Sequence, residues 1–355
     1  MTMKRCLIIL SAIVTGCSSS VPDEPDLAPL QPDTAARPEP HHAIADEINP
    51  RLLRRFKPLQ VPPSATGAAE AEIELGRMLF FDKRLSRSRD LACSSCHRLD
   101  TYGVDHEVTS IGAGGKRGRR NSPSVFHAAG QFSNFWDGRA ATVEAQAMAP
   151  IVNPTEMGML DGDAVVAVLA ASPGYVRAFR AAYPGVATPL TYEAVGTALG
   201  AFERVLVTPG RWDRFLQGDR RALSSLEIHG LKLFSDVGCI SCHTGELLGG
   251  TMFRKAGVEK PWPNQADQGR FEITKLEVDR MMFKVPPLRN VAMTAPYFHD
   301  GSVATLEEAV ALMAHHQLGE ELAPADVTAI VAWLRTLTGE LPARYVAAPT
   351  LPPDL

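Results

Sequence analysis

Two copies of one five-residue motif govern what this chain can become: Cys93-Ser94-Ser95-Cys96-His97 and Cys239-Ile240-Ser241-Cys242-His243. Both read C-x-x-C-H, the attachment signature of a c-type haem. The spacing answers to chemistry. Two thiols add to the two vinyl groups of one porphyrin, and the adjoining histidine then lies beneath the iron as an axial ligand. Other readings of the cysteines are weaker. A zinc site needs two further ligands per motif, and these motifs stand too far apart for one compact ribbon. A thioredoxin-like redox pair has no need of histidine beside the second cysteine. Disulfides occur in exported proteins, but a two-residue loop is rarely chosen for one. The remaining two of the six cysteines, Cys6 and Cys17, lie near the N-terminus.

A short repeat leads into each motif. Gly76-Arg77-Met78-Leu79-Phe80 precedes the first and Gly230-Leu231-Lys232-Leu233-Phe234 the second, the first approach being longer by a polar loop from Asp82 to Leu91. Duplicated motifs with duplicated approach helices imply two cytochrome-like modules. Strand signals are scarce. Thr305-Leu306-Glu307-Glu308 reads as a capping box. Val327, Ile330, Val331 and Leu334 follow helical spacing, with Gly339 as the stop. The expected fold is mainly α, with two cytochrome c-like haem domains, 49–208 and 209–343, long loops, and a C-terminal tail over 344–355.

The 355 residues are 45% hydrophobic, enough for a sizeable core and about two domains. A net charge of −4 gives no footing for nucleic-acid binding, and no internal apolar run reaches membrane-spanning length. The N-terminus differs from the rest. Lys4 and Arg5 precede an apolar run from Leu7 to Val14, which ends in Val14-Thr15-Gly16-Cys17. This reads as a lipoprotein signal peptide over 1–16, with Cys17 as the lipidated mature N-terminus. The plainer alternative is an ordinary secretory signal with Cys17 incidental. Ser18 after the cysteine goes with outer-membrane sorting. Residues 17–48, rich in Pro, Asp, Glu and Ala and without apolar periodicity, read as a disordered tether. The body is thus expected to face the periplasm on a lipid anchor.

Further blocks take the reading beyond an electron carrier. Arg120-Asn121-Ser122-Pro123-Ser124-Val125 is followed by Phe135-Trp136-Asp137-Gly138-Arg139, Glu144-Ala145-Gln146-Ala147 and Asn153-Pro154-Thr155-Glu156-Met157-Gly158. Phe283-Lys284-Val285-Pro286-Pro287-Leu288-Arg289-Asn290 and Thr294-Ala295-Pro296-Tyr297-Phe298-His299-Asp300-Gly301 close the set. In this order, from about residue 70 to 340, the chain resembles the bacterial dihaem cytochrome c peroxidase family.

The resemblance implies reduction of hydrogen peroxide with electrons from a small donor, a cytochrome c or a cupredoxin. It implies His97 as proximal ligand of the peroxidatic haem, and His243 with Met313 as ligands of the electron-entry haem. Trp136 falls between the haems, and Gln146 and Glu156 on the distal side of the first. Asn121, Thr294 and Pro296 match the residues that hold a calcium ion. Homodimers are common in the family, although no motif here marks an interface. A thioether ligand favours ferrous iron and suits an entry haem. A carboxylate beside an open iron can carry the peroxide proton. Plainer roles stay open: Met313 as core, Trp136 as packing aromatic, Glu156 as a solvated carboxylate.

One departure from the family pattern stands out. The histidine that closes the resting peroxidatic haem in many members would fall at Ala113, which cannot ligate iron. His106, seven residues away, is a weaker substitute, so the site reads as open without reductive activation. The basic run from Lys116 to Arg120 in the same loop reads as solvated. Two rivals remain. One is a MauG-type dihaem oxidase acting on a protein or organic substrate, in which tyrosine replaces the distal methionine kept here as Met313. The other is a non-enzymatic dihaem electron-transfer protein. Anchoring has a direct test. Cys17→Ser should yield exported protein that no longer extracts with membranes; wild-type protein already free in the soluble fraction would refute the lipid anchor.

Overall fold

A computed structural model of the chain describes residues 48–353. The signal peptide, Cys17 and all of the tether but its last residue lie outside the described residues. The longer helices are α1 (Gly67–Phe81), α2 (Val143–Val152), α3 (Gly162–Ala170), α4 (Pro173–Ala182), α5 (Tyr192–Arg204), α6 (Arg211–Leu216), α7 (Ser225–Asp236), α8 (Leu306–Met313) and α9 (Pro324–Arg335). Two three-residue strands, β1 (Phe253–Lys255) and β2 (Met282–Lys284), form one antiparallel pair with Phe253 opposite Lys284. The chain is therefore mostly helical with few strands, as its sequence implies. Among the described residues no helix is long and apolar enough to cross a membrane.

Local chemistry starts and stops these helices. Thr142, Thr191 and Thr305 each turn a side-chain oxygen back to a first-turn N–H, at 3.1–3.2 Å. Ser224 and Glu227 form a reciprocal capping box at the start of α7. At Thr305 only half of the expected box is present, the bond from Glu308 N to Thr305 Oγ1. The four apolar positions marked on α9 are all buried, between 1% and 8% exposed. That helix ends at Arg335, ahead of the glycine expected to stop it. Gly339 serves packing instead: a Cβ there would lie 1.9 Å from the Thr208 carbonyl oxygen.

Two apolar cores organise the fold. The first gathers α1 to α5 around Leu79, Phe80, Val165, Phe179 and Phe202. The second gathers α6 to α9 around Trp212, Leu231, Phe234 and Trp333, with Trp212 and Trp333 edge to face at 5.6 Å. Each core is built on one helix crossing: α1 against α5, and α7 against α9. The glycines of the two G-x-x-L-F repeats sit at these crossings. A Cβ at Gly76 would lie 1.9 Å from Ala198 O, and one at Gly230 would lie 1.9 Å from Ala329 O. Only a residue without a side chain lets the backbones approach so closely.

The chain ends cross over between the cores. Ile48, the tether's last residue, and Phe56 are buried in the second core. Leu59 N donates to Asp213 Oδ1 at 2.7 Å, and the fully buried Arg289 guanidinium pairs with Asp213 Oδ2 at 2.9 Å. At the other end the expected tail is docked. Tyr345 packs edge to face on Phe202 at 5.9 Å, and Ala347 O and Pro352 O accept from Arg77 and Arg84. The segment expected to open the first domain and the expected C-terminal tail thus each brace the opposite core.

At an ordinary exposed helix position, Gly→Ala stabilises by roughly 0.5–1 kcal/mol. At Gly230 the sign should reverse. Gly230→Ala should destabilise by about 1–3 kcal/mol through overpacking. Denaturant unfolding of the haem-loaded protein checks this, and an unchanged or raised midpoint would refute the close crossing.

Candidate functional site

The second C-x-x-C-H motif follows directly on α7. Gly238, at φ +106°, turns the chain out of the helix, and Cys239–Ser241 form a single tight turn. His243 Nδ1 lies 2.9 Å from the Leu248 carbonyl oxygen. With N–H donated there, Nε2 keeps its lone pair for a metal, and the carbonyl fixes the ring's orientation. Burial holds the His243 pKa below the usual range, which keeps the ring neutral.

These residues open onto a cavity of ≈ 380 Å3. Its walls carry Cys239, Cys242 and His243 together with Met313, Phe298 and Trp136. Met313 is the last residue of α8, followed by a π-helical turn over Ala314–Leu318, a local widening frequent at functional sites. One buried polar atom on this wall, His299 Nε2, has no protein partner. Two thiols, an imidazole lone pair, a thioether and an apolar lining suit a covalently held haem. None of the four motif cysteines is in a disulfide.

The first motif repeats the arrangement. Cys93–Cys96 make one helical turn, and His97 Nδ1 lies 3.2 Å from Gly103 O. Burial lowers the His97 pKa, as at His243, and pushes the Cys93 and Cys239 thiols up to about 12. Buried thiols of this kind are poor free nucleophiles and inert unless something engages them.

Glu156 stands near this first site. Burial raises its carboxyl pKa, against the opposing pull of the Arg139 charge and a hydrogen bond from Asn153 Nδ2 at 2.9 Å. Its backbone oxygen accepts from Ala113 N at 2.7 Å. Gly112 is pressed on the same turn, where a Cβ would lie 1.9 Å from Thr155 O. The loop carrying Ala113 is thus stapled to the turn carrying Glu156, and the residue at the expected ligand position is a methyl group. His106 is exposed, and its Nδ1 lies 2.8 Å from Ala295 O, which engages it with the second half of the chain. Gln146 is half-buried on α2 and makes no side-chain hydrogen bond to Glu156.

Trp136 joins the two halves. Its Nε1 donates to Asn121 O at 3.0 Å, and its carbonyl accepts from Lys284 N at 2.8 Å. Its ring lies edge to face with His299 at 6.4 Å, and it shares an apolar cluster with Met313, Phe283 and Trp262. Asn121 N also donates to His299 O at 2.8 Å, which draws Asn121 toward the block that contains Thr294 and Pro296. Among the described residues no group of three or more His, Cys, Asp or Glu side chains is placed to hold a metal ion. His299 and Lys284 are also buried at the second motif's cavity, and nothing in the sequence around them signals that burial.

Known proteins resemble this chain in sequence and in fold. A family profile described as Di-haem cytochrome c peroxidase matches residues 70–221. The chain is 44% identical over 320 residues to the cytochrome c551 peroxidase of Pseudomonas aeruginosa, covering 87% of this chain and 91% of that protein. It is 42% identical over 305 residues to the cytochrome c551 peroxidase of Nitrosomonas europaea, covering 85% and 90%. Among solved structures, a MauG-like protein associated with microbial copper homeostasis superposes with a TM-score of 0.69 at 30% identity, over 83% of this chain and 96% of that one.

Haem content should track the two motifs. Purified mature protein should carry two covalent haems, with Cys93→Ala and Cys239→Ala each weakening attachment at one motif alone. Intact-mass measurement showing a single haem in wild type would overturn the pairing of motif and cofactor.

Proposed function

The chain belongs to the di-haem cytochrome c peroxidase family and is a peroxidase; on that premise we propose how its residues divide the reduction of hydrogen peroxide to water. The observation that carries the reading is the doubled motif, one copy opening on a cavity that also holds Met313 and the other standing beside Glu156. Cys93, Cys96 and His97 would hold the first haem, and Cys239, Cys242, His243 and Met313 the second. When bound, the haems supply the redox chemistry and the electron storage that no side chain here offers.

A small soluble donor, a cytochrome c or a cupredoxin, would deliver its electrons on the Met313 side. Trp136 would shorten the gap that the electrons must cross, since it lines the cavity of the second motif and its indole N–H donates to the carbonyl of Asn121 in the first half. Glu156 accepts and returns a proton at the first site. Burial raises its pKa and so favours the protonated form more than at an exposed carboxyl, and Asn153 holds it in place. Gln146 orients peroxide by hydrogen bonding. Ala113 leaves the first site unobstructed, so the oxidised enzyme needs no displaced ligand before turnover.

A calcium ion held by Asn121 and the carbonyls of Thr294 and Pro296 would fasten the loop before Trp136 to the second half. We assign the body to the periplasmic side of the outer membrane on a Cys17 lipid, with a homodimer as its working state.

The test is a rapid-mixing assay. Fully oxidised enzyme mixed with peroxide and reduced cytochrome c should turn over at once, without a lag. Glu156→Gln should lower the rate by ~10²–10⁴-fold, the usual contribution of a general acid–base group. A lag removed by prior half-reduction would contradict the open site, and an unchanged rate in the variant would contradict the role of Glu156.

A further inference from the structure

Lys284 is the one lysine buried among the described residues, at 6% exposure. It ends β2 and lines the second cavity, and its backbone N–H holds the carbonyl of Trp136. Its ammonium donates to Gln131 Oε1 and, at 3.1 Å, to Ser133 O. Both acceptors are neutral. Among the described residues no carboxylate forms an ion pair with Lys284. The acid acting on it, Asp137, is already paired with Arg120 and Arg139. The same cluster holds Ser133 Oγ, which is buried without a partner.

A buried cation with only neutral partners is expensive, and proteins rarely keep one without an anion beside it. The described residues supply no unpaired anion here, but a haem carries two propionate carboxylates. We propose that Lys284 is the counter-ion of a propionate on the second haem, and that its charge raises that haem's reduction potential. This rests on the reading of the cavity as the second haem site. A fixed positive charge favours the reduced, less positive iron over the oxidised one. Lys284 would therefore add to what Met313 does: both hold electrons at the entry site. Its backbone bond to Trp136 ties the strand that carries the charge to the residue that joins the two halves. Lys284 is a positioning and tuning residue, since nothing in its contacts sets it on peroxide.

The test uses the full-length holoprotein, with haem stoichiometry measured first and each haem then titrated spectroscopically against applied potential. Lys284→Met keeps the length and removes the charge; Lys284→Arg keeps the charge. With two haems bound, Lys284→Met should lower the potential of the methionine-ligated haem. The ratio of reduced to oxidised haem at fixed poise should fall on the order of tenfold. Lys284→Arg should stay near wild type, and the histidine-ligated first haem should move little in either. An unchanged potential in a fully loaded Lys284→Met would overturn the counter-ion role while leaving the haem assignment intact. If Lys284→Met fails to load, Lys284→Arg decides: full loading at near-native potential supports the charge role, and failure to load assigns Lys284 to packing and overturns it. Absence of haem from wild type would instead end the underlying haem reading.

Discussion

The fold hangs on two points where one helix backbone rests directly on another. At Gly76 and at Gly230 the space that a Cβ would need is filled by the carbonyls of Ala198 and Ala329. Each crossing fixes the helix that leads into a haem motif against the last helix of its core. The position of Cys93 and of Cys239 relative to its core depends on that contact. Helix pairs held at such short range admit little sliding, because interiors are packed at near-crystalline density. A rigid frame matters for a haem site, where two thiols and a histidine must be held in register with one another.

A second set of constraints ties the two cores together. The buried Arg289–Asp213 pair also anchors Leu59 and Lys57 of the entering chain, through Asp213 Oδ1 and the Arg289 guanidinium. His127 Nε2, Thr208 Oγ1 and the Asn290 amide form a polar chain at 2.8–3.1 Å that links the first core, the connector and the second core. Buried polar groups of this kind specify one arrangement, since each is costly to leave unpaired. The crossed chain ends act in the same direction. Trp136 and Asn121 therefore meet the second half at a defined separation, which is what a route for electrons requires.

The site divides its polarity in a way that suits the proposed division of labour. The second cavity has apolar walls and a neutral imidazole, with polar groups confined to places such as His299 Nε2 and Lys284. The first site keeps a half-buried carboxyl with an elevated pKa beside a loop that presents only a methyl group. Electron storage gains from exclusion of water, whereas peroxide cleavage needs a mobile proton and an approachable iron.

Much of this was legible in the linear chain. The two C-x-x-C-H motifs named the cofactor chemistry, because no other common use of cysteine needs that spacing with histidine attached. The G-x-x-L-F repeat marked both approach helices, and the spacing of Val327, Ile330, Val331 and Leu334 marked the buried face of the last long one. These signals are local, so a linear string carries them. The reason for Gly76 and Gly230 was not legible, since the partner carbonyls lie about a hundred residues away or more along the chain. Gly339, which reads as a helix stop, packs on Thr208 for the same reason. The crossing of the chain ends, the stapling of Ala113 to the Glu156 turn and the burial of Lys284 were equally hidden. The sequence by itself determined the kind of chemistry and the helical character, through residue type and short spacing. Tertiary structure alone decided which groups lose water and which charges meet a counter-charge, because burial and pairing are properties of distant segments brought together.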